Sequence, residues 1–262
     1  SNPRTAAPFA AALVVLILVY EWLVVWLLGP NRAAGVTVTC LGLGICAAYH
    51  FRHSRTWEDW GLAPFAFLPS LAANAGFTLL AVSVFALLGH LWKEPGILRS
   101  PSLLSVFYLL LWASAQQWAL QSVVLRAMRG GRHPAPAAAA VFAVLHLPNP
   151  FLVPATFVAG YVWCRLQLKY PNWLPAAVSH AVCSLTILMT QPRWLTGGME
   201  WVFPGFWIDE GRLPFCRRLY GVVIGSGETN GPGPGFVVRP LVRCLGHRTS
   251  NREGLQPHLF GW

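Results

Sequence analysis

The chain has 262 residues, 55% of them hydrophobic and only 11% charged, with a mean hydropathy of +0.50 and a net charge of +10. Soluble domains carry about 25% charged residues, so this composition excludes a soluble domain and a disordered chain. It also argues against nucleic acid as a partner despite the charge, because no basic, polar, folded segment precedes residue 190. The solvent such a chain suits is a lipid bilayer.

A membrane-spanning helix needs about 20 mostly apolar residues. In chain order, the runs that meet or approach this are Pro8 to Gly29, Ala33 to Phe51, Phe65 to Trp92, Pro101 to Met128, Pro134 to Leu147, Phe151 to Leu168 and Asn172 to Met189. The polar loop Arg52 to Pro64 separates the second and third, and its Trp57 and Trp60 read as interface anchors. The short fifth run stops at Pro148-Asn149-Pro150. Long runs bounded by Pro or Gly predict helices throughout. The fold class expected is therefore all-α: a polytopic transmembrane bundle of seven or eight spans over residues 1–190, with the motif-bearing part at about 101–190. From residue 191 to 262 Gly, Pro and Arg dominate, which predicts a poorly ordered tail.

Of 19 basic residues, eight fall at the N-terminus or in the loops after runs two, four and six: Arg4, Arg52, Arg55, Arg126, Arg129, Arg132, Arg165 and Lys169. Three fall on the opposite side: Arg32, Lys93 and Arg99. The excess predicts that the first side is cytoplasmic and meets anionic membrane lipids. The tail holds a further eight Arg, and an eighth span would return it to the cytoplasmic side. The six cysteines form no C-x-x-C pair, and four lie in apolar runs, where they read as small buried hydrophobes.

Polar side chains within such runs mark function more often than chance placement would. Gln116, Gln117 and Gln121 lie in the fourth run, and the latter two are four apart and share a helix face. Interhelical hydrogen bonding is the plain alternative for each. His146 closes the fifth run and His180 lies within the seventh. Two imidazoles on different helices together with the Gln cluster predict a converging site, and histidine is the commonest metal ligand. Glu21, in the first run, reads as an interhelical or interfacial hydrogen-bonding group. Runs four to seven contain no carboxylate.

Residues 50 to 190 resemble the CPBP family, the membrane CAAX proteases and bacteriocin-processing enzymes. The family's three helix-borne motifs are E-E-x-x-x-R, F-x-x-x-H and H-x-x-x-N/D. The similar stretches here are Gln116-Gln117-x-x-x-Gln121, Phe142-x-x-x-His146 and His180-x-x-x-Ser184, and Gly61-Leu62 resembles the loop before the family's third helix. The resemblance implies a site of Gln116, Gln117, Gln121, His146 and His180 that activates water against a peptide bond, with His146 and His180 as ligands to a metal such as Zn2+. It implies membrane-tethered or prenylated peptide and protein substrates cut near their C-terminus, and a multi-pass protein of a bacterial-type plasma membrane. The departures fall on the chemistry: a carboxamide cannot take a proton at neutral pH and ligates metal poorly, and two His leave a zinc one ligand short. Cys183, three residues after His180, is a candidate third ligand. Two rival readings stand beside the peptidase: a catalytically inactive member acting as a membrane scaffold or chaperone, and a small carrier or channel.

Overall fold

The computed structural model describes residues 3–24, 32–92, 101–147, 149–192 and 195. Helix α1 (Pro3–Val19) runs on into a π-turn, Tyr20–Val24, that carries a half-buried Glu21. Then come α2 (Arg32–His53), a 3-10 turn (Pro64–Ala66), α3 (Phe67–Trp92) and α4 (Leu103–Trp118). A π-turn (Ala119–Val124) joins α4 to the single turn α5 (Leu125–Met128), and α6 (Pro134–Val144), α7 (Leu152–Lys169) and α8 (Leu174–Thr190) follow. An isolated β-bridge joins Leu62 to Asn172. The all-α membrane bundle expected from composition is the fold observed. Among the described residues, four helical stretches are long and apolar enough to cross a bilayer: Pro3–Val24, Ala33–His53, Pro64–Trp92 and Leu103–Met128.

Local chemistry sets the helix ends. Ser102 caps α4, its hydroxyl accepting from the Ser105 N–H at 3.1 Å. Proline sits in the first turn of α6 and of α8, where its missing N–H costs nothing. The Asn149 carboxamide oxygen accepts from the N–H groups of Phe151 and Leu152, both at 2.9 Å, and so starts α7. Helix α6 has 11 residues, about 16 Å of rise against a hydrocarbon core of about 30 Å. Its end, and His146 with it, therefore lies part-way along the bundle.

Contacts assign the loops to two ends. At one end, Trp173 N–H donates to Gly61 O and Ala63 N–H to Pro171 O, Arg126 approaches Asp59 at 4.0 Å, and Gly130 faces Pro3. At the other, the Gln191 amide donates to Phe85 O at 2.7 Å, Phe85 meets Phe151, and Gly89 lies against Thr190. A Cβ at Gly89 would sit 2.5 Å from Thr190 O, so only glycine lets α3 and the end of α8 approach this closely. Gly160 does the same more gently for α6 and α7, 3.5 Å from the Ala139 Cα.

The core is built from small residues at helix crossings. Ala6 and Ala10 of α1, Cys46 and Tyr49 of α2, Val123 and Leu125, and Ala138 and Cys164 are all buried. Leu79, Leu80 and Leu87 of α3 and Leu103, Leu104 and Phe107 of α4 point outward and are exposed. Lipid is the solvent that makes such a surface inexpensive. Of the tail, Gln191 is fully buried and the Leu195 carbonyl accepts from the Asn149 amide at 3.2 Å, so the bundle extends a few residues past Thr190. The remainder of the expected tail, the end of the first run (25–29) and any eighth span lie outside the described residues.

Candidate active site

Three helices bring the sequence motifs together. Gln117 closes α4, Gln121 lies in the π-turn, His146 follows α6, and His180 sits in α8 behind its Pro175 start. Gln117 and His180 are buried, at 0% and 7% exposure. The Gln121 amide donates to the Gln117 carboxamide oxygen at 2.9 Å, and the Gln117 amide lies 3.2 Å from His180 Nδ1. Phe142 joins the two imidazoles: its ring centroid is 4.7 Å from His146 and 5.7 Å from His180, edge-on to both. These two distances cap the separation of the imidazole centroids at about 10 Å. Gln116 is half-buried and, among the described residues, no side-chain hydrogen bond ties it to the others.

Hydrogen-bond direction fixes the chemistry of each ring. His146 Nδ1 lies 2.7 Å from the Phe142 carbonyl oxygen, which can only accept. His146 therefore carries its proton on Nδ1 and presents a bare Nε2. Gln117 spends its oxygen on Gln121, so its amide N–H donates to His180 Nδ1, and His180 carries its proton on Nε2. Turning both amides over would reverse this, at a cost in buried donors. As placed, only the Gln121 oxygen is left buried and without a partner. Turned over, the Gln121 N–H groups would be the orphans, and buried orphan donors are the rarer and costlier case. One imidazole thus offers a lone pair and the other an N–H.

This donor set does not fit a zinc ion. Among the described residues no three His, Cys, Asp or Glu side chains come together. Cys183 is buried on α8 and joins no such group. With His180 Nδ1 engaged and Nε2 protonated, only His146 Nε2 has a lone pair to give, against the three protein ligands of a catalytic zinc.

Two features of the surroundings were not anticipated from sequence. The first is a polar stripe on α3 at four-residue spacing, Ser70, Asn74 and Thr78. The Thr78 hydroxyl donates to Ser179 Oγ at 2.7 Å and Ser70 to Asn172 O at 3.0 Å. Trp163 Nε1 also donates to Ser179 Oγ, at 3.0 Å, and the Trp163 ring lies 4.9 Å from His180. Together they set the register of α8 one residue before His180. The spacing S-x-x-x-N-x-x-x-T was the signal in the sequence.

The second is His50 at the end of α2. It is fully buried and hydrogen-bonded at both nitrogens, Nδ1 with Ser54 Oγ at 2.7 Å and Nε2 with Ser122 Oγ at 2.9 Å. It stacks on Trp60 at 4.5 Å and Trp118 at 5.6 Å. Trp60, read from sequence as an interface anchor, is drawn inward by this stack, whereas Trp57 stays exposed. Outside the spans, the Asp59 carboxyl is pushed up by partial burial. Hydrogen bonds from Arg55 N–H and from the hydroxyl and N–H of Thr56 outweigh this and hold it below the usual range. A cleft of about 480 Å³ between α1 and α2, lined by Pro8, Phe9, Cys40 and Gly44 among others, shares no lining residue with the imidazole site.

A lipid-facing helical bundle enclosing a pair of imidazoles and a carboxamide array defines the class: an integral membrane protein with a buried polar centre. Residues 99–186, roughly a third of the chain, match the family model described as Type II CAAX prenyl endopeptidase Rce1-like. That stretch, which holds all three motifs, is similar to this family. No curated protein and no solved structure matches the chain.

Proposed function

We propose that the protein is a CAAX-type intramembrane endopeptidase that hydrolyses a peptide bond near the C-terminus of a membrane-tethered or prenylated substrate. In this reading it is a multi-pass protein of a bacterial-type plasma membrane, with the 54–63 end facing the cytoplasm. The observation that carries the reading is the complementary protonation of two imidazoles on one phenylalanine, within the segment that matches the family.

His146 Nε2 accepts a proton from water as the oxygen bonds to the substrate carbonyl carbon. The His180 Nε2–H donates to a developing negative oxygen. The proton then passes from His146 to the amide nitrogen as the C–N bond breaks. A general base contributes roughly 10²–10⁴-fold and an oxyanion donor roughly 10²–10³-fold, so the pair supplies part of what a carboxylate site would. Gln117 and Gln121 hold His180 in its donor form, and Gln116, one position on, lines the approach.

The test is incubation of the purified protein, in detergent or vesicles, with a prenylated peptide, with release of its C-terminal residues followed by mass spectrometry. Turnover by the wild type, its loss in His146→Ala, and less than one bound metal per chain are expected. Turnover that follows added zinc and is lost on chelation would overturn the metal-free step.

A second reading has its own observation, the absence of any Asp or Glu from residues 101–192. It is a family member that binds lipidated segments without cutting them, as a scaffold or chaperone. Saturable binding of the same peptide with no product, by a folded wild type, would favour it.

A further inference from the structure

We infer that His50 is a positioning residue for the imidazole site: acting through Ser122, it holds the π-turn that keeps Gln121 on Gln117 and so fixes the proton on His180. The inference rests on the geometry of the site and does not require that the protein cleave peptides.

A π-turn is rarer than α-helix and is seen mostly at functional sites, where something outside the helix holds it. Here Leu125 N–H reaches back five residues to Leu120 O, and five successive residues, Leu120 to Val124, are all buried. Successive side chains of an α-helix fan out by about 100°, so five buried in a row need neighbours on every side. Two polar members of this run face different partners. Gln121 bonds to Gln117, whereas Ser122 bonds to His50 on α2.

The direction of the His50 bond is determined. Ser122 spends its hydroxyl hydrogen on the Trp118 carbonyl, so its oxygen accepts and His50 Nε2 donates. His50 Nδ1 then accepts the Ser54 hydroxyl hydrogen at 2.7 Å, in preference to the Asp59 carbonyl at 3.4 Å. The ring cannot turn away, because Trp60 and Trp118 stack on it within 15° and 16° of parallel. Asp59 and Arg126 tie Trp60's loop down from the other side, and Tyr49 and His53 pack against the cluster from α2.

Without His50 the Ser122 oxygen loses its donor and the turn can relax to α-helical spacing. Gln121 then leaves the Gln117 oxygen, and Gln117 is free to present either its oxygen or its amide to His180. The expected consequence is a mixture of His180 tautomers in place of one.

The measurement is the 15N spectrum of His180 in the full-length, 15N-histidine-labelled protein in vesicles, assigned with His180→Gln. Wild type should give one neutral form, protonated on Nε2. His50→Ala and Ser122→Ala should each lose that single-tautomer signature. His50→Gln, whose amide reaches the Nε2 position, should restore it, as should Ser122→Thr. Gln191→Ala, which removes a buried bond at the far end of α8, should lower the melting temperature and leave the His180 spectrum unchanged. That separates positioning from a general loss of stability. Should His50→Ala fail to fold, Ser122→Ala, which deletes a single oxygen, decides alone. A folded Ser122→Ala with the wild-type His180 spectrum overturns the proposal. So does a folded His50→Gln with mixed tautomers.

Discussion

Two buried histidine clusters lie on opposite sides of one π-turn, and they differ in what is left over. His50 has a hydroxyl at each nitrogen and an indole on each neighbouring stack. Its hydrogen-bonding capacity is used up, so it can hold neighbours in place but has nothing to offer a substrate. His146 and His180 each have one nitrogen engaged, and among the described residues Nε2 of each has no partner. The same side chain is structural where it is saturated and chemically available where it is half-saturated. His50 and His180 are both buried, so burial alone does not tell these two apart.

The comparison breaks most sharply at the available nitrogens. His146→Ala should lower peptide hydrolysis by roughly 10²–10⁴-fold while leaving the melting temperature nearly unchanged, read by mass spectrometry and a thermal scan on one preparation. A variant that melts early and retains its turnover per folded molecule would place His146 with His50. The saturated cluster should respond the other way. His50→Ala removes a fully buried ring stacked against two indoles, which in protein cores costs roughly 2–5 kcal/mol. The unfolding midpoint in a mild denaturing detergent should fall well below that of His146→Ala.

Converting the amide array sharpens the contrast further. Gln116→Glu with Gln117→Glu and Gln121→Arg should raise hydrolysis, or the affinity for zinc, by at least about 10-fold, because a carboxylate supplies both a base and an anionic ligand. At Gln117 a carboxylate can only accept, so His180 would move its proton to Nδ1 and free Nε2. A folded triple variant that neither binds metal nor cleaves would mean that more than these positions has diverged.

The smallest effect is expected at Asp59. Its pKa is lowered in the folded state, so its contribution is present above the ordinary carboxylate range and is lost as pH falls through the depressed value. Acid should therefore loosen the Trp60 loop, seen as a change in tryptophan fluorescence, and Asp59→Asn should remove that pH response. The group is only partly buried, so the stability change should stay under about 1 kcal/mol.

Most of the bundle was legible because bilayer solvation is a strong constraint. Among the described residues each apolar run carries a helix: the first begins at Pro3 where Pro8 was expected, the fifth begins at Pro134 as expected, and the fourth and seventh begin two residues late, behind Ser102 and Trp173. Gln117 and Gln121 were legible as a face-sharing pair from their spacing alone. Gln116 was not separable from them, because a motif lists neighbours without saying which one turns inward. His50 stayed hidden for a different reason. It sits in H-F-R-H-S-R at the end of a run, where basic and aromatic residues are expected at a membrane surface, and nothing local reveals that Trp60 and Trp118 close over it. The tautomers depend on which carboxamide atom faces which neighbour, and that is decided by the buried surroundings of Gln121 and by the Phe142 carbonyl. The π-turn left no mark in the hydrophobic pattern, since every residue from Leu120 to Val124 except Gln121 and Ser122 is apolar.

The clasp between residues 60–63 and 167–173 also has a consequence in time. Gly61, at φ +72°, turns the loop so that its carbonyl accepts from the Gln167 amide and from Trp173 N–H, while Ala63 exchanges bonds with Pro171 and Asn172. None of these partners has been synthesised when α1, α2 and α3 enter the membrane. The early half of the chain must wait, with the Gly61 carbonyl and the Ala63 N–H left to water, until a segment more than 100 residues later arrives to take them up. Biogenesis is therefore ordered: the first three helices can be threaded one at a time, but their loop locks only when α8 is delivered. A ribosome stalled before Asn172 would hold an inserted yet unlatched intermediate, open to quality-control proteases at this one exposed strap.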